Sequence, residues 1–157
     1  DSENKVVGKA TRSEIHKKGL QHRAVHVFVF NSRGELYVQR RSSLKDRYPL
    51  KLDSSAAGHL EPGETYEAAA RRELEEELSI KGSIEEVLKL PACCQTDNEH
   101  VALYTISTDL EPRPNPEEIQ WGGFISRDNL NKLLKEKSDD FVPAFVLLWE
   151  EFLRKTK

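Results

Sequence analysis

Two hydrophobic rhythms run along the chain. From His22 to Phe30 (HRAVHVFVF) β-branched, aromatic and small apolar residues follow one another almost unbroken, the composition of a buried strand. Asn31, Ser32, Arg33 and Gly34 form a turn. Glu35 to Arg41 (ELYVQRR) returns as a second strand, Leu36 and Val38 alternating with Tyr37 and Gln39. A loop containing Tyr48-Pro49 leads to a short strand of small residues, Leu52 to Ala57, which Gly58 and then Pro62-Gly63 break. The rhythm then changes. Thr65 to Leu78 is rich in helix formers, and Ala70, Leu74 and Leu78 recur at i, i+4 and i+8 as an apolar stripe suited to lie on a sheet. Ser83 to Cys94 and Val101 to Thr108 read as a strand pair joined by a polar turn at Thr96 to Glu99. Three prolines make Glu111 to Pro116 a loop, and Ile119 to Ile125 is a further strand. Two helices follow, Arg127 to Lys137 and Pro143 to Arg154. The first twenty residues are polar and are expected to form a short strand and an arm. Interleaved strands and helices without a repeat predict one mixed α/β (α+β) domain over residues 1–157, with 1–20 as its N-terminal arm.

Composition narrows the function. With 157 residues and 37% hydrophobic content the chain can bury a single core. Glutamate dominates the charge, 19 Glu against 8 Asp, and the net charge is -3. That balance excludes a nucleic-acid binder held by overall positive charge. No apolar run approaches the ~20 residues of a membrane span, so no membrane partner is expected. The adjacent Cys93 and Cys94 are poorly placed to bridge, because neighbouring strand side chains point to opposite faces. Two reduced thiols point to a cytoplasmic setting. The chain opens at Asp1 and contains no Met, which puts the natural start upstream and leaves a removed targeting peptide open.

Chemistry concentrates in the helix after Pro62-Gly63. At about 100° per residue, Glu73, Glu76 and Glu77 share one face, while Glu75 points the other way. Three carboxylates on one face repel one another, and a divalent cation would remove that repulsion. Carboxylate oxygens are the ligands Mg²⁺ and Mn²⁺ prefer. From spacing alone, a solvated acidic face explains the pattern equally well.

The flanking residues shift that balance. Gly58 is followed by five residues, Glu64, seven residues, Arg72-Glu73-Leu74, one residue, Glu76-Glu77, one residue, then Ser79-Ile80. This resembles the Nudix box of the Nudix hydrolase superfamily at every fixed position except its last Gly, which is Ser79 here. Six such identities arise by chance with odds of roughly 1 in 10,000. Ser79 falls at the helix end, where it weakens the left-handed cap that Gly would favour and leaves the acids untouched. The resemblance implies an α/β/α sandwich with a mixed sheet between helices. It also implies hydrolysis of a nucleoside diphosphate linked to another group, by water attack on phosphorus. Mg²⁺ or Mn²⁺ would be the cofactor. Carried over by position, Glu73, Glu76 and Glu77 would be metal ligands, joined by the Gly58 carbonyl. Glu73 or a loop glutamate would be the base, and Glu64 and Arg72 an orienting ion pair. A small-molecule diphosphate would be the substrate, and a homodimer is expected because many relatives are dimers.

The resemblance reaches further, over roughly residues 12 to 125. His22-Arg23-Ala24, Gln39-Arg40-Arg41, Gly58-His59 and Asp97-Asn98-Glu99 look like the isopentenyl diphosphate isomerase branch of this fold. That branch holds a metal with histidines and glutamates, which points to His22, His59, Asp97 and Glu99, with His16 as a fifth. Its catalytic cysteine falls at Ala57, which carries no proton, and its box is degraded where this one is nearly complete. An isomerase-like hydrolase is therefore expected; isomerase activity and a non-catalytic nucleotide-binding module are the alternatives. Glu99 is also a candidate base, with Glu117 and Glu118 as competitors.

The loop from Gln39 to Lys51 carries Arg40, Arg41, Lys45, Arg47 and Lys51 against Asp46, a phosphate-binding patch in an acidic protein. Arg40 is the first choice within it. Arg41, His59 and Glu61 complete the expected substrate contacts. Tyr48, Trp121 and Phe124 are candidates for stacking on a base, and more readily core or rim aromatics.

Overall fold

The computed structural model describes residues 1–156. Its elements in chain order are α1 (Arg12–Lys18), β1 (His22–Phe30), β2 (Leu36–Arg41), β3 (Leu52–Asp53), β4 (Ala56–His59), α2 (Tyr66–Leu78), β5 (Glu85–Leu90), β6 (Glu99–Ser107), β7 (Ile119–Ile125), α3 (Arg127–Lys137) and α4 (Pro143–Lys155). The seven strands form one mixed sheet in the order β3-β2-β1-β6-β5, with β4 added to β1 and β7 to β2. β6 runs parallel to β1 over its whole length, from His22 opposite Glu99 to Phe30 opposite Ser107. The other edge of β1 is shared. β4 pairs with Ala24 to Val27, while β2 meets β1 only where Phe30 faces Leu36. The sheet therefore opens between β1 and β2, where a cavity is lined by Ala24 and His26 of β1, Arg41 of β2 and Ala57 of β4.

Helices cover both faces. Val25, Val27 and Val29 of β1 pack against Ala69, Ala70, Leu74 and Leu78 of α2. Ala24 and Phe28, on the opposite face, pack against Phe145, Leu148, Trp149 and Phe152 of α4. This is the α/β/α sandwich with a mixed central sheet that the box resemblance predicts. Alternate β1 residues feed two cores, so both faces are apolar and the strand reads as a continuous run. His26 interrupts it, on the α4 side. No helix among the described residues is long and apolar enough to cross a membrane.

Three expectations are corrected. Residues 12–18 form a helix, not a strand: Thr11 and Glu14 close a capping box, and Gly19 ends the helix at φ 61°. The single strand expected from Leu52 to Ala57 is two. Ser54 and Ser55 interrupt it, Ser55 Oγ donating to Tyr37 O and the Ser54 N–H donating to Asp53 Oδ1. β5 stops at Leu90 because Pro91 cannot continue the ladder, which leaves Cys93 and Cys94 in the following turn as free thiols.

Candidate active site

Burial of the apolar stripe of α2 fixes where its acids point. Glu77 is drawn into the seam with β2, 3% exposed, and Gln39 Nε2 donates to its Oε2 at 2.7 Å. Burial, reinforced by the charge of Glu73, pushes the Glu77 carboxyl up to about 8. Glu73 lies directly against Gly58: a Cβ at position 58 would stand 2.1 Å from the Glu73 Cδ. Burial raises the Glu73 carboxyl as well, against the opposing pull of Arg72. Glu76, on the same side of α2, reaches solvent with its side chain 57% exposed. Glu75 points away and pairs with Lys81 at 2.8 Å.

Arg72 organises the approach to these acids. It donates to both Glu64 oxygens at 2.9 Å, to Glu73 Oε1 at 2.6 Å and to the His59 carbonyl at 3.0 Å. A fork of this kind fixes loop, helix start and acid together. The bonds to Glu64 hold the Arg72 guanidinium charged and lower the Glu64 carboxyl. Lys45 is the cation within the field of Glu77 and Glu73, and its ammonium contacts Glu118. Glu117 only receives a backbone tie, its N–H donating to Asn115 Oδ1.

A second cluster gathers where β1, β4 and β6 begin or end. Glu99 Oε1 lies 3.0 Å from His59 Nε2 and 3.3 Å from His22 Nε2, and those two nitrogens are 3.2 Å apart. Parallel pairing of His22 with Glu99, and the β1–β4 register that sets His59 opposite Ala24, bring them together. α1 adds His16, whose Nε2 is buried with no hydrogen-bond partner among the described residues. One ligand atom each from His16, His22 and His59 lies within 4.8 Å of the others, close enough to share one ion. Burial alone would raise Glu99, but hydrogen bonds from His22 and His59 outweigh it and bring the carboxyl to about 2. Asp97 stands at the rim, 3.8 Å from His16 Nδ1 and in contact with Arg47.

Beside the second cluster lies a cavity, with Arg12, Arg41, Lys45 and Arg47 on its walls and His26, Asp53, Ala57 and Gly58 on its floor. His16, His59, Asp97 and Glu99 line it, whereas Glu73, Glu76 and Glu77 do not and adjoin it through Gly58. Arg41 is anchored by Asp53 at 3.0 Å. Arg40 does not line this cavity, because it donates to the Leu50 carbonyl at 2.9 Å. Glu61 is exposed on the loop before α2, its N–H tied to Glu64. Tyr48 lines the cavity, Trp121 is 56% exposed on β7, and Phe124 packs edge-on against Tyr37. The sequence patterns give no site role to Gln39, His26 or Arg12. For the first two a signal exists: each is a polar residue at a strand position that otherwise feeds a core. Arg12 has none, because the arm reads as plain polar sequence.

Comparison with known proteins gives the following. The family described as "NUDIX domain" matches residues 20–145. An uncharacterised Nudix hydrolase of Nostoc is 52% identical over 81 residues, 51% of this chain and 48% of that protein, so the match spans about half of that relative. The isopentenyl-diphosphate Delta-isomerase of Pectobacterium atrosepticum is 31% identical over 152 residues, 94% of this chain and 85% of that protein. A Deinococcus radiodurans protein of known crystal structure superposes with a TM-score of 0.82 at 29% identity, over 100% of this chain and 96% of that one.

Proposed function

The chain belongs to the Nudix family, and from that membership we propose that it hydrolyses a nucleoside diphosphate linked to another group, with Mg²⁺ or Mn²⁺ at the acids of α2. One observation carries the reading: the Glu73 carboxylate sits against Gly58, which itself lines a cavity walled by four cations. The acids suit a hard cation. Among the described residues the buried Glu77 side chain has one hydrogen-bond partner, the uncharged Gln39 amide, and the charge of Glu73 adds to the burial that raises its carboxyl. Glu73, Glu76, Glu77 and the Gly58 carbonyl would hold the ion. When bound, it would neutralise the diphosphate and favour attack by water.

The protein's own groups supply the rest. Arg12, Arg41, Lys45 and Arg47 bind and orient the diphosphate, Arg41 in a fixed direction because Asp53 holds it. Glu73 takes the proton of the attacking water as its oxygen bonds to phosphorus and the bridging P–O bond breaks. Its carboxylate lies against Gly58 beside the proposed ion, whereas Glu99 is engaged by His22 and His59. Glu99, His22, His59 and His16, with Asp97 at the rim, form a second cation site: the orphaned His16 Nε2 and the convergence on Glu99 Oε1 support it.

A panel assay tests this. Nucleoside triphosphates, sugar nucleotides, dinucleotide cofactors and isoprenoid diphosphates are offered with Mg²⁺ or Mn²⁺, and released phosphate or nucleotide is measured. Metal-dependent turnover that falls on the order of 100-fold or more in Glu77→Gln supports the reading. Full activity in that variant sinks it. The histidine cluster and the similarity to the Pectobacterium enzyme favour a second reading, isopentenyl diphosphate isomerisation. Ala57 opposes it, having no proton to give. Turnover of isopentenyl diphosphate to its isomer would establish it.

A further inference from the structure

His26 is used by neither cluster, yet it is the most deliberately placed polar group in the cavity floor. Its side chain is 5% exposed, in a strand whose neighbours on the same face, Ala24 and Phe28, are core. Burying an imidazole there costs stability unless its polar atoms are satisfied. Nδ1 is satisfied: Ser54 Oγ lies 2.7 Å away. Nε2 makes no hydrogen bond among the described residues, and it is not a buried orphan as His16 Nε2 is. Since His26 lines the cavity, Nε2 opens into it.

Ser54 also decides which nitrogen carries the proton. Its side chain is fully buried and its hydroxyl has only His26 Nδ1 within hydrogen-bond reach among the described residues. Were Nδ1 to carry the proton, Oγ would accept it and the buried hydroxyl hydrogen would have no acceptor among the described residues; donation to Nδ1 satisfies both groups and puts the proton of the neutral ring on Nε2. Asp53 does not reverse this. Its Oδ1 is 3.8 Å from Nδ1 and already accepts from the Ser54 N–H at 2.7 Å, while Oδ2 is held by Arg41 at 3.0 Å. The floor therefore presents a fixed N–H donor. It stands opposite Ala57, one residue along β4 from Gly58 and the box acids.

We propose that His26 Nε2–H is a specificity-determining donor to the group joined to the diphosphate, so that the cavity takes substrates with an oxygen acceptor in that half and rejects hydrocarbon ones. This rests on the hydrolase reading and narrows it to diphosphates of sugar- or nucleoside-like groups. An isoprenoid chain would cover the donor and leave it unpaired, and a site built to hydrogen-bond its ligand discriminates strongly against analogues that cannot.

The test combines tautomer, binding and turnover. Long-range ¹H–¹⁵N correlation of the His26 ring should show Nε2 protonated and Nδ1 bare, with Ser54→Ala mixing the two tautomers. A proton on Nδ1 in the native protein overturns the inference. Titration calorimetry with Mg²⁺ then compares ADP-ribose and UDP-glucose with isopentenyl diphosphate, alongside turnover. His26→Leu should weaken binding or kcat/KM for the oxygen-bearing probes on the order of 100-fold and leave isopentenyl diphosphate unchanged or improved. His26→Gln, which keeps an N–H near the same place, should recover much of the loss. An equal loss on every probe, or no loss in a folded His26→Leu protein, overturns the inference. Selective binding without hydrolysis of any probe would sink the hydrolase reading and leave the donor role standing; hydrolysis indifferent to His26 would do the reverse.

Discussion

Gln39 Nε2 lies 2.7 Å from Glu77 Oε2, and both side chains are buried in the seam between β2 and α2. The amide also donates to the Ser55 carbonyl at 3.2 Å, so its orientation is set from two sides. The bond favours the charged form of a carboxyl that burial drives up to about 8.

Proton release on metal binding follows from that balance. The Glu77 carboxyl is raised above its unfolded value of 4.5, so between that value and about 8 the folded, metal-free protein holds a proton that the unfolded chain has lost. The associated stability is present below 4.5 and is lost as pH rises through the window. A divalent ion must displace the proton, so Mn²⁺ affinity should climb up to about pH 8 and level off above it. Gln39→Leu should shift that curve to higher pH. Calorimetry in buffers of different ionisation enthalpy reads the proton directly; a pH-independent affinity would contradict the assignment.

Gly58→Ala should impair activity more than stability. The new Cβ would stand 2.1 Å from the Glu73 carboxylate, which must move away from the loop. Overpacking of this kind costs about 1–3 kcal/mol. Because the displaced group is the proposed base, kcat should fall by a larger factor than the stability loss suggests. Thermal unfolding and steady-state kinetics on one preparation separate the two effects. An active, destabilised variant would remove Glu73 from the chemistry.

Much of this architecture is legible in the residues, for physical reasons. β1 is readable because both its faces are buried, and α2 because its stripe and its acids differ so sharply. The Glu64–Arg72 contact is of the kind a sequence can reveal, because the pair is local, eight residues apart on one loop and helix. What was not legible depends on distant contacts. Strand periodicity cannot show that Gln39 turns toward Glu77, because their separation is set by sheet and helix packing. Arg40 stands at a strand end, yet the register shifts between Arg40 and Arg41, with Arg41 at the cavity and Arg40 on the Leu50 carbonyl. The arm misled because a capping box of Thr11 and Glu14 is brief, and α1 delivers His16 and Arg12 to the site only through tertiary contacts.

Acid should unfasten the loop before α2. The Glu64 carboxyl is lowered from 4.5, chiefly by its bonds from Arg72. A lowered carboxyl contributes stability that is present above its unfolded value and lost as pH falls through the folded one. Both side chains are largely shielded, at 13% and 23% exposure, so the charged bonds are worth about 1–2 kcal/mol after screening. Glu64→Gln should lower urea-measured stability by that amount at pH 7 and flatten its decline below pH 4.5. A mutant curve parallel to the native one over that acidic range would show that the pair is not the source of the slope.

The histidine cluster should bind a cation independently of the box. Its donors come from α1, β1, β4 and β6, whereas the box acids all come from α2, so removing one set leaves the other assembled. His22 shows what holds the cluster in the absence of a metal ion. Burial would lower its ring, but the bond to Glu99 and the tie to the Leu20 carbonyl raise it above 6.5. The stability from that pairing is present below 6.5 and fades as pH rises through the raised value. A metal ion replaces the shared proton, so thermal stabilisation by Mn²⁺ or Zn²⁺ should be larger at pH 8 than at pH 6. His59→Ala should abolish that stabilisation while leaving Mn²⁺ binding at the box measurable, and Glu77→Gln should do the opposite. Loss of both classes of binding in either variant would mean that the two clusters form a single site spanning Gly58 and His59, and that the box is not a self-sufficient metal centre.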